Sequence, residues 1–173
     1  MKKKKFVQII LFCLGCFILF LADQFTKYLA IHSLKDTSGI ALIPDVFELQ
    51  YVENRGAAFG ILQQKRIFLI LISVIVLCLL YYFYHKIPEG KRYFPLRLIS
   101  VMLVSGAIGN MIDRIVRGYV VDFLYFKWIN FPVFNVADCY VVISVIAAFL
   151  FLCFYYSDDE LRFLDIRKKK GNE

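Results

Sequence analysis

The sequence predicts an all-α membrane protein with four transmembrane helices and a small β-structure on one face of the bilayer. Of its 173 residues, 60% are hydrophobic, whereas soluble domains carry about 45–50%. Four apolar runs each have the length of roughly 20 residues that a helix needs to cross a bilayer. The excess of apolar residues is too large for one buried core, so lipid is expected to cover much of the surface.

The predicted spans are separated by one short and two longer connecting segments. They cover residues of about 6–28, 67–84, 94–112 and 139–156. The third span contains Ser105, Gly106, Gly109 and Asn110, and small residues of this kind favour close packing between membrane helices. The first span has the basic start of a signal peptide, but no small-residue cleavage site follows it, so we interpret it as an uncleaved anchor. Residues 1–173 are expected to form a single membrane domain.

The placement of the basic residues predicts the orientation of the chain. Of the 21 lysine and arginine residues, 13 lie in the N-terminal segment, in the loop between the second and third spans, or in the C-terminal tail. Four spans put these segments on one side, which the positive-inside rule makes cytoplasmic. Both termini are therefore expected in the cytoplasm. Because the basic runs flank apolar segments, the net charge of +7 indicates contact with anionic headgroups rather than binding of nucleic acid.

Two longer segments, about 30–66 and 114–137, are left for the outer side. Apolar and polar residues alternate over 46–52, which is the period of a half-buried strand. The second segment is rich in aromatic residues and is interrupted by glycine and proline. It is therefore expected to rest as a loop in the membrane interface, where aromatic rings are favoured.

This topology gathers four acidic residues at the outer face: Asp23, Asp113, Asp122 and Asp138. Any one of them can simply mark a helix end, and Asp138 is placed to cap the N-terminus of the fourth span. Asp23 has Lys27 one helical turn away, which predicts a structural ion pair. Asp113 is expected to form a second structural ion pair with the adjacent Arg114.

Asp122 and Asp138 differ from the other two because no basic residue adjoins them and their neighbours are apolar. Two poorly solvated carboxyl groups that lie close together cannot both ionise, so one keeps a proton while the other remains a base. Such a pair can activate water and polarise an amide carbonyl without a metal ion or a covalent intermediate. The sequence permits this proximity but does not establish it.

Other kinds of site fit the sequence poorly. The five cysteines are scattered, and Cys13-x-x-Cys16 has no second pair to complete a zinc site. With only His32 and His85, and with no H-E-x-x-H or G-x-S-x-G motif, neither a metal centre nor a serine nucleophile is indicated. No metal or cofactor is therefore expected. Besides an aspartic peptidase, the acidic face allows a transport or ion-pathway subunit, or a scaffold whose acids only fix helix ends.

Five segments, in this order among the spans, carry a recognisable pattern. They are Ala-Asp-Gln-Phe-Thr-Lys (22–27), Asn-Arg-Gly-Ala-Ala-Phe-Gly (54–60), Gly-Ala-Ile-Gly-Asn-Met-Ile-Asp-Arg (106–114), Val-Val-Asp-Phe (120–123) and Phe-Asn-Val-Ala-Asp (134–138). Through them the sequence resembles the bacterial lipoprotein signal peptidases, the signal peptidase II family. Each segment is a weak match alone, and the combination is specific.

The resemblance implies an intramembrane aspartic endopeptidase that hydrolyses the bond before the lipid-modified cysteine of a diacylglyceryl-modified prolipoprotein. It assigns Asp122 and Asp138 as the catalytic pair. It assigns substrate-binding or supporting roles to Asp23, Asn54, Gly109, Asn110, Arg114 and Asn135. Lys27 and Asp113 are expected to be structural.

The resemblance also implies a setting for the reaction. The protein is expected in the bacterial cytoplasmic membrane with its site facing outward, with prolipoproteins and membrane lipid as partners and no cofactor. The outer strand segment is expected to form a β-cradle at the membrane surface. A short mobile helix is expected over the site within about Phe59 to Arg66. Nothing in the sequence requires more than one copy, so a monomer is expected.

Overall fold

The structure is a computed structural model in which residues 2–56 and 61–165 are described. Across these residues it contains the long helices α1 (Lys2–Leu34), α2 (Arg66–Lys86), α3 (Phe94–Val116) and α4 (Val136–Phe154). It also contains the short strands β1 (Ile40–Ile43), β2 (Phe47–Asn54) and β3 (Val120–Phe126). By length and composition the four helices can each cross a membrane, which confirms the predicted fold class.

Helix α3 lies at the centre of the bundle, since it packs against α1, α2 and α4. Small residues in α3 allow the helices to approach closely. A Cβ added to Gly106 would lie only 2.6 Å from the carbonyl oxygen of Ala137 in α4, so a larger residue would not fit there. The expected close packing of the third span is therefore present. The other helices turn large apolar side chains outward, including Phe17, Leu71 and Phe149. Lipid is the solvent that such a surface requires.

Helix α1 continues beyond its predicted end near residue 28 and reaches Leu34. Its last turns bury Ala30 and Leu34 against Val121 and Phe123 of β3. This contact supports the helix beyond its apolar run, because packing against a partner stabilises helical turns more than intrinsic propensity does. The sheet is thereby held on the C-terminal end of α1, and we call this the sheet end of the bundle.

The strands form one antiparallel sheet in the order β1-β2-β3. Strand β2 covers residues 47–54 and includes all but the first residue of the predicted strand. The sequence predicts an interfacial loop for 114–137, whereas the structure forms β3 within it. Alternation is absent from β3 because residues 120–123 are all buried. A strand covered on both faces has a continuous apolar pattern instead.

A short backbone connection ties β3 to the start of α4. The carbonyl of Phe134 accepts hydrogen bonds from the amides of Phe123 (2.9 Å) and Leu124 (2.8 Å). The amide of Phe134 donates to the Leu124 carbonyl at 3.0 Å. The chain therefore returns to β3 immediately before α4 begins, and the first turn of α4 lies beside the strand.

The end of the bundle opposite the sheet has a core of its own. Leu96 and Ile99 of α3 are buried there with Tyr156, which follows α4. The ring of Tyr156 stacks on Tyr93 with 5.7 Å between the ring centroids. The basic residues of the loop between α2 and α3 also lie at this end, so the basic loop and the predicted carboxylate pair occupy opposite ends of the bundle.

Candidate active site

Asn135 holds the two predicted catalytic carboxylates in one hydrogen-bonded unit. It is the N-cap of α4, where its side-chain oxygen accepts a bond from the Asp138 amide at 3.0 Å. Asp138 Oδ2 accepts a bond in return from the Asn135 amide at 3.1 Å. The side-chain nitrogen of Asn135 donates to Asp122 Oδ1 at 2.6 Å. The N-cap of α4 is therefore Asn135 rather than Asp138, which instead completes a capping box from the third helical position.

Two further asparagines supply the remaining oxygens of the pair with donors. Asn110 Nδ2 of α3 donates to Asp138 Oδ1 at 2.7 Å. Asn54 Nδ2, at the end of β2, donates to Asp122 Oδ2 at 2.9 Å. Each carboxylate oxygen thus accepts at least one hydrogen bond, which fixes both groups while leaving them beside a common cavity.

Beneath the pair lies a buried charge network centred on Lys27. Its ammonium group lies 2.9 Å from Asp23 Oδ2 and 2.9 Å from Asp113 Oδ2, and all three side chains are fully buried. It also donates to Asn110 Oδ1 at 2.9 Å. Asp23 Oδ1 accepts a bond from the Ala137 amide at 3.0 Å, which attaches the network to the first turn of α4. The ion pair expected between Asp23 and Lys27 is present.

The ion pair expected between Asp113 and Arg114 is wrong. Asp113 pairs with Lys27 and with Arg117, which follows it by four residues. Adjacent residues on a helix point in different directions, whereas residues four apart lie on one face. Arg114 instead donates to the carbonyl oxygens of Gly56 (2.9 Å) and Asn110 (3.3 Å).

Gly109 gives α3 close access to the buried network. A Cβ at this position would lie 2.5 Å from Asp23 Oδ2. Any larger residue would therefore displace the carboxylate that binds Lys27. The supporting role expected for Gly109 thus has a steric basis in the approach of α1 to α3.

The carboxylate pair opens into a large cavity of about 990 Å³ at the sheet end. Its polar wall comprises the two aspartates and the side chains of Glu53, Asn54, Arg55, Gln63, Asn110 and Arg114. The rest of the wall is mostly apolar and includes Phe126, Ile129, Phe131, Val133, Val142 and Ile143. Several of these side chains are exposed at the outer surface. The cavity can therefore accept an apolar chain directly from the surrounding lipid.

The environment of Asp122 favours its protonated form. The side chain is 1% exposed, and burial, followed by the charge of Asp138, raises the pKa of Asp122 to about 7. Hydrogen bonds from Asn54 and Asn135 oppose this increase in pKa, because they stabilise the ionised carboxylate. Asp122 therefore holds its proton to a much higher pH than an ordinary aspartate does.

The structure adds two residues that the sequence did not single out. Gln24 donates to Asp23 Oδ2 (3.1 Å) and to Asp113 Oδ1 (3.2 Å). Arg117, which is partly exposed, forms a second ion pair with the buried Asp113. The i,i+4 spacing of Asp113 and Arg117 was a detectable signal, whereas Gln24 lies within the 22–27 segment without a role of its own being predicted.

The expected helix over the site falls partly on residues 57–60, which lie outside the described part of the chain, as does the last part of the 54–60 segment. The described residues 61–64 form turns, and α2 begins at Arg66. The helix therefore remains a prediction for the undescribed residues only.

Known proteins match this chain over most of its length. A model of the signal peptidase (SPase) II family matches residues 15–154. The lipoprotein signal peptidase of Caldanaerobacter subterraneus subsp. tengcongensis is 50% identical over 131 residues, which cover 75% of this chain and 86% of that protein. The lipoprotein signal peptidase of Halothermothrix orenii is 45% identical over 136 residues, covering 78% and 90% of the two chains.

Two solved structures of bacterial membrane enzymes share the fold. One has a TM-score of 0.75 at 31% identity and covers 95% of this chain and 96% of that one. The other has a TM-score of 0.74 at 33% identity and covers 86% and 96%. Fold and site define a multi-pass membrane protein with a linked carboxylate pair beside an apolar cavity. The chain belongs to the signal peptidase II family and is a peptidase.

Proposed function

We propose that this protein removes the signal peptide of prolipoproteins by hydrolysing the bond before the lipid-modified cysteine. The observation that carries this proposal is the attachment of Asp122 and Asp138 to one residue, Asn135, beside an apolar cavity. That arrangement provides a base, an acid and space for a lipid-bearing peptide in one place. The names of the related proteins point to the same substrate class. They lend no support to a transport or ion-pathway subunit.

In the first chemical step Asp138 acts as the base and Asp122 as the acid. The raised pKa of Asp122 lets it retain the proton near neutral pH. Asp138 takes a proton from a water molecule while the water oxygen attacks the carbonyl carbon of the scissile bond. Asp122 gives its proton to the carbonyl oxygen, and a neutral tetrahedral diol forms.

In the second step the diol collapses. Asp138 returns its proton to the leaving nitrogen as the carbon–nitrogen bond breaks, and Asp122 takes back a proton from a hydroxyl of the diol. Both carboxyl groups end in the protonation states in which they began. No covalent intermediate is required, and the hydrogen bonds from Asn110 and Asn54 keep the pair aligned throughout.

The cavity wall explains how a substrate with acyl chains can reach a polar site. Side chains such as Phe131 and Val142 line the cavity and are also exposed at its edge. An acyl chain or an apolar signal helix can move along them without passing through water. Arg114 reaches the cavity without a carboxylate partner among the described residues and is available to bind a substrate carbonyl oxygen.

The proposed setting is the bacterial cytoplasmic membrane, with the sheet end outward and both termini in the cytoplasm. The basic segments support this orientation through the positive-inside rule. The protein acts as a monomer, with residues 1–173 forming one membrane domain. Its partners are diacylglyceryl-modified prolipoproteins and membrane lipid. Nucleic acid is not a partner, and no cofactor takes part.

The test uses purified protein with a diacylglyceryl-modified prolipoprotein and with the same precursor lacking the lipid. We expect cleavage of the modified precursor alone, at the bond before the modified cysteine, both with and without a metal chelator. Equal cleavage of the two precursors would contradict the proposed substrate class. Loss of cleavage with the chelator would contradict the carboxylate mechanism.

A further inference from the structure

A second cavity, of about 250 Å³, lies at the end of the bundle opposite the carboxylate pair. Its wall is formed by the start of α1, the end of α2, the loop that follows α2, and Arg97 of α3. Nothing in the proposed peptidase reaction uses this cavity. Most of its lining residues are polar or charged, and they lie near the start of α1 and the end of α2.

The cavity carries an excess of positive charge. Lys5, Lys86 and Arg97 line it, together with one carboxylate, Glu89. Within the described part of the chain none of these three cations forms an ion pair, since the salt bridges there involve other residues. Unpaired cations that face one cavity attract an anion. The site therefore has the charge that a phosphate group would neutralise.

Protein contacts hold the cavity wall in place. Arg97 donates to the loop carbonyls of Gly90 (3.1 Å) and Pro88, which shapes the loop after α2. Lys86 Nζ lies 4.6 Å from the centre of the Tyr82 ring, which restrains this cation in a cation–π contact. The wall is therefore organised by the chain itself, and a ligand need not reorganise it.

Helices α1 and α2 meet beside the cavity. The hydroxyl of Tyr84 donates to the Gln8 carbonyl at 3.4 Å. The ring of Tyr84 lies 4.1 Å from that of Phe12. These contacts fix the cavity between two helices that both face lipid.

Apolar and aromatic side chains on the turns of α1 and α2 beside the cavity are exposed. Ile9 lines the cavity and is itself exposed, and Phe6, Ile10 and Tyr81 nearby on α1 and α2 are also exposed. A headgroup held in the cavity can leave its acyl chains against this surface. A free phosphate ion would gain nothing from it, so the position favours a lipid as the source of the anion.

We infer that this cavity binds the phosphate of an anionic phospholipid headgroup in the leaflet opposite the active site. Basic pockets between membrane helices at this depth are suited to such headgroups. A zwitterionic headgroup brings its own cation into a cavity that already holds three, so it binds less well. The lipid attaches α1 to the loop between α2 and α3 without taking part in cleavage.

The test is native mass spectrometry of the purified full chain after equilibration with equal amounts of phosphatidylglycerol and phosphatidylcholine in detergent. We expect one retained phosphatidylglycerol, favoured over phosphatidylcholine by about 10- to 30-fold, given the attraction between a lipid headgroup and each cation. The double variant Lys5→Gln/Lys86→Gln should lose most of this preference. The double variant Lys35→Gln/Lys91→Gln changes the net charge equally at exposed lysines that do not line the cavity, and it should keep the preference.

Three results would overturn the inference. One is equal retention of the two lipids by the unmodified protein, and another is an equal loss of preference in both double variants. The third is displacement of the bound lipid by inorganic phosphate at about the lipid's own concentration, which would make free phosphate the ligand. Cleavage of a prolipoprotein in detergent is expected to be unchanged in both double variants, so failure of this inference leaves the proposed peptidase function untouched.

Discussion

The buried ammonium of Lys27 donates a 2.9 Å hydrogen bond to Oδ1 of Asn110, and this contact sets the orientation of the amide. Because Oδ1 faces Lys27, Nδ2 faces Asp138 and donates to it at 2.7 Å. If the amide of Asn110 were turned over, its oxygen would face the carboxylate oxygen of Asp138, and its NH2 group would face the ammonium of Lys27. Both contacts would be repulsive. Lys27 therefore orients a donor to the proposed catalytic pair without touching the pair itself.

Replacing Lys27 with Met should strongly destabilise the protein. It leaves Asp23 and Asp113 buried without their shared cation, and breaking a buried ion pair costs about 3–5 kcal/mol. We expect a markedly lower thermal midpoint in detergent and less cleavage by the protein that remains folded. The exposed Lys35 provides the control, since Lys35→Met should leave both quantities unchanged. An unaltered midpoint in Lys27→Met would refute the structural role.

Replacing either Asp122 or Asp138 with Asn should abolish cleavage while the protein remains folded. Asn cannot act as a base or transfer a proton between water and substrate, so a loss of at least about 100-fold is expected. Cleavage of the lipid-modified precursor measures activity, and thermal unfolding in detergent measures folding. Asp45→Asn, at an exposed turn, is the matched control. Full activity in either variant of the pair would remove it from the catalytic assignment.

Asp113→Asn should behave differently from the variants of the pair. The neutral side chain leaves Lys27 and Arg117 with one anion fewer, so stability and yield should fall. Thermal midpoints compared at equal detergent and salt provide the measurement. If the variant is instead as stable as the unmodified protein and fully inactive, Asp113 belongs to the reaction and our division of roles is wrong.

Activity should decline as the pH rises above about 7. The pKa of Asp122 is raised to about 7, so the proton that the first chemical step needs is lost above that value. The measurement is the pH profile of kcat/KM with a lipid-modified precursor, and an activity that stays constant to pH 9 would contradict the assignment of Asp122 as the acid.

Stability should respond to pH through the same group. The pKa of Asp122 is about 7 in the folded protein, compared with an ordinary value of 3.8. As the pH rises, the unfolded chain therefore loses this proton at a lower pH than the folded protein does. The contribution of Asp122 to stability is greatest below pH 4 and is lost as the pH rises through 7. Asp122→Asn should raise the thermal midpoint at pH 8 more than at pH 5, whereas Asp45→Asn should show no such difference.

Gly106→Ala tests the close approach of α3 to α4. The added methyl group would meet the backbone carbonyl of Ala137, which cannot move without moving the first turn of α4. Overpacking of this kind costs about 1–3 kcal/mol. Gly15→Ala is the control, because there the methyl group meets only the side chain of Val101, at 3.1 Å. Equal thermal midpoints for the two variants would contradict the tight packing at Gly106.

The membrane helices were predictable because the thickness of a bilayer sets the length of an apolar run. The extension of α1 to Leu34 and the formation of β3 were not, since both depend on contacts between Leu34 and Val121 that join distant parts of the chain. In the site, the Asp23–Lys27 pair follows from helical spacing. Asn110 and Asn135 carry no charge, and their positions follow no helix or strand periodicity that would point to their hydrogen bonds. These two residues were therefore identified only through the family resemblance.

The backbone bonds between Phe134 and β3 have a consequence for how the protein meets membranes of different thickness. Helices adjust to a mismatch in hydrophobic length mainly by tilting. Asp122 and Asp138 lie on one strand–helix connection that Phe134 and Asn135 close, so tilting of α1 and α2 leaves the separation of the two carboxyl groups largely unchanged. Thickness then governs how deeply the pair lies relative to the scissile bond. We therefore expect the proposed catalytic pair to keep a constant internal geometry at a depth that the surrounding lipid sets.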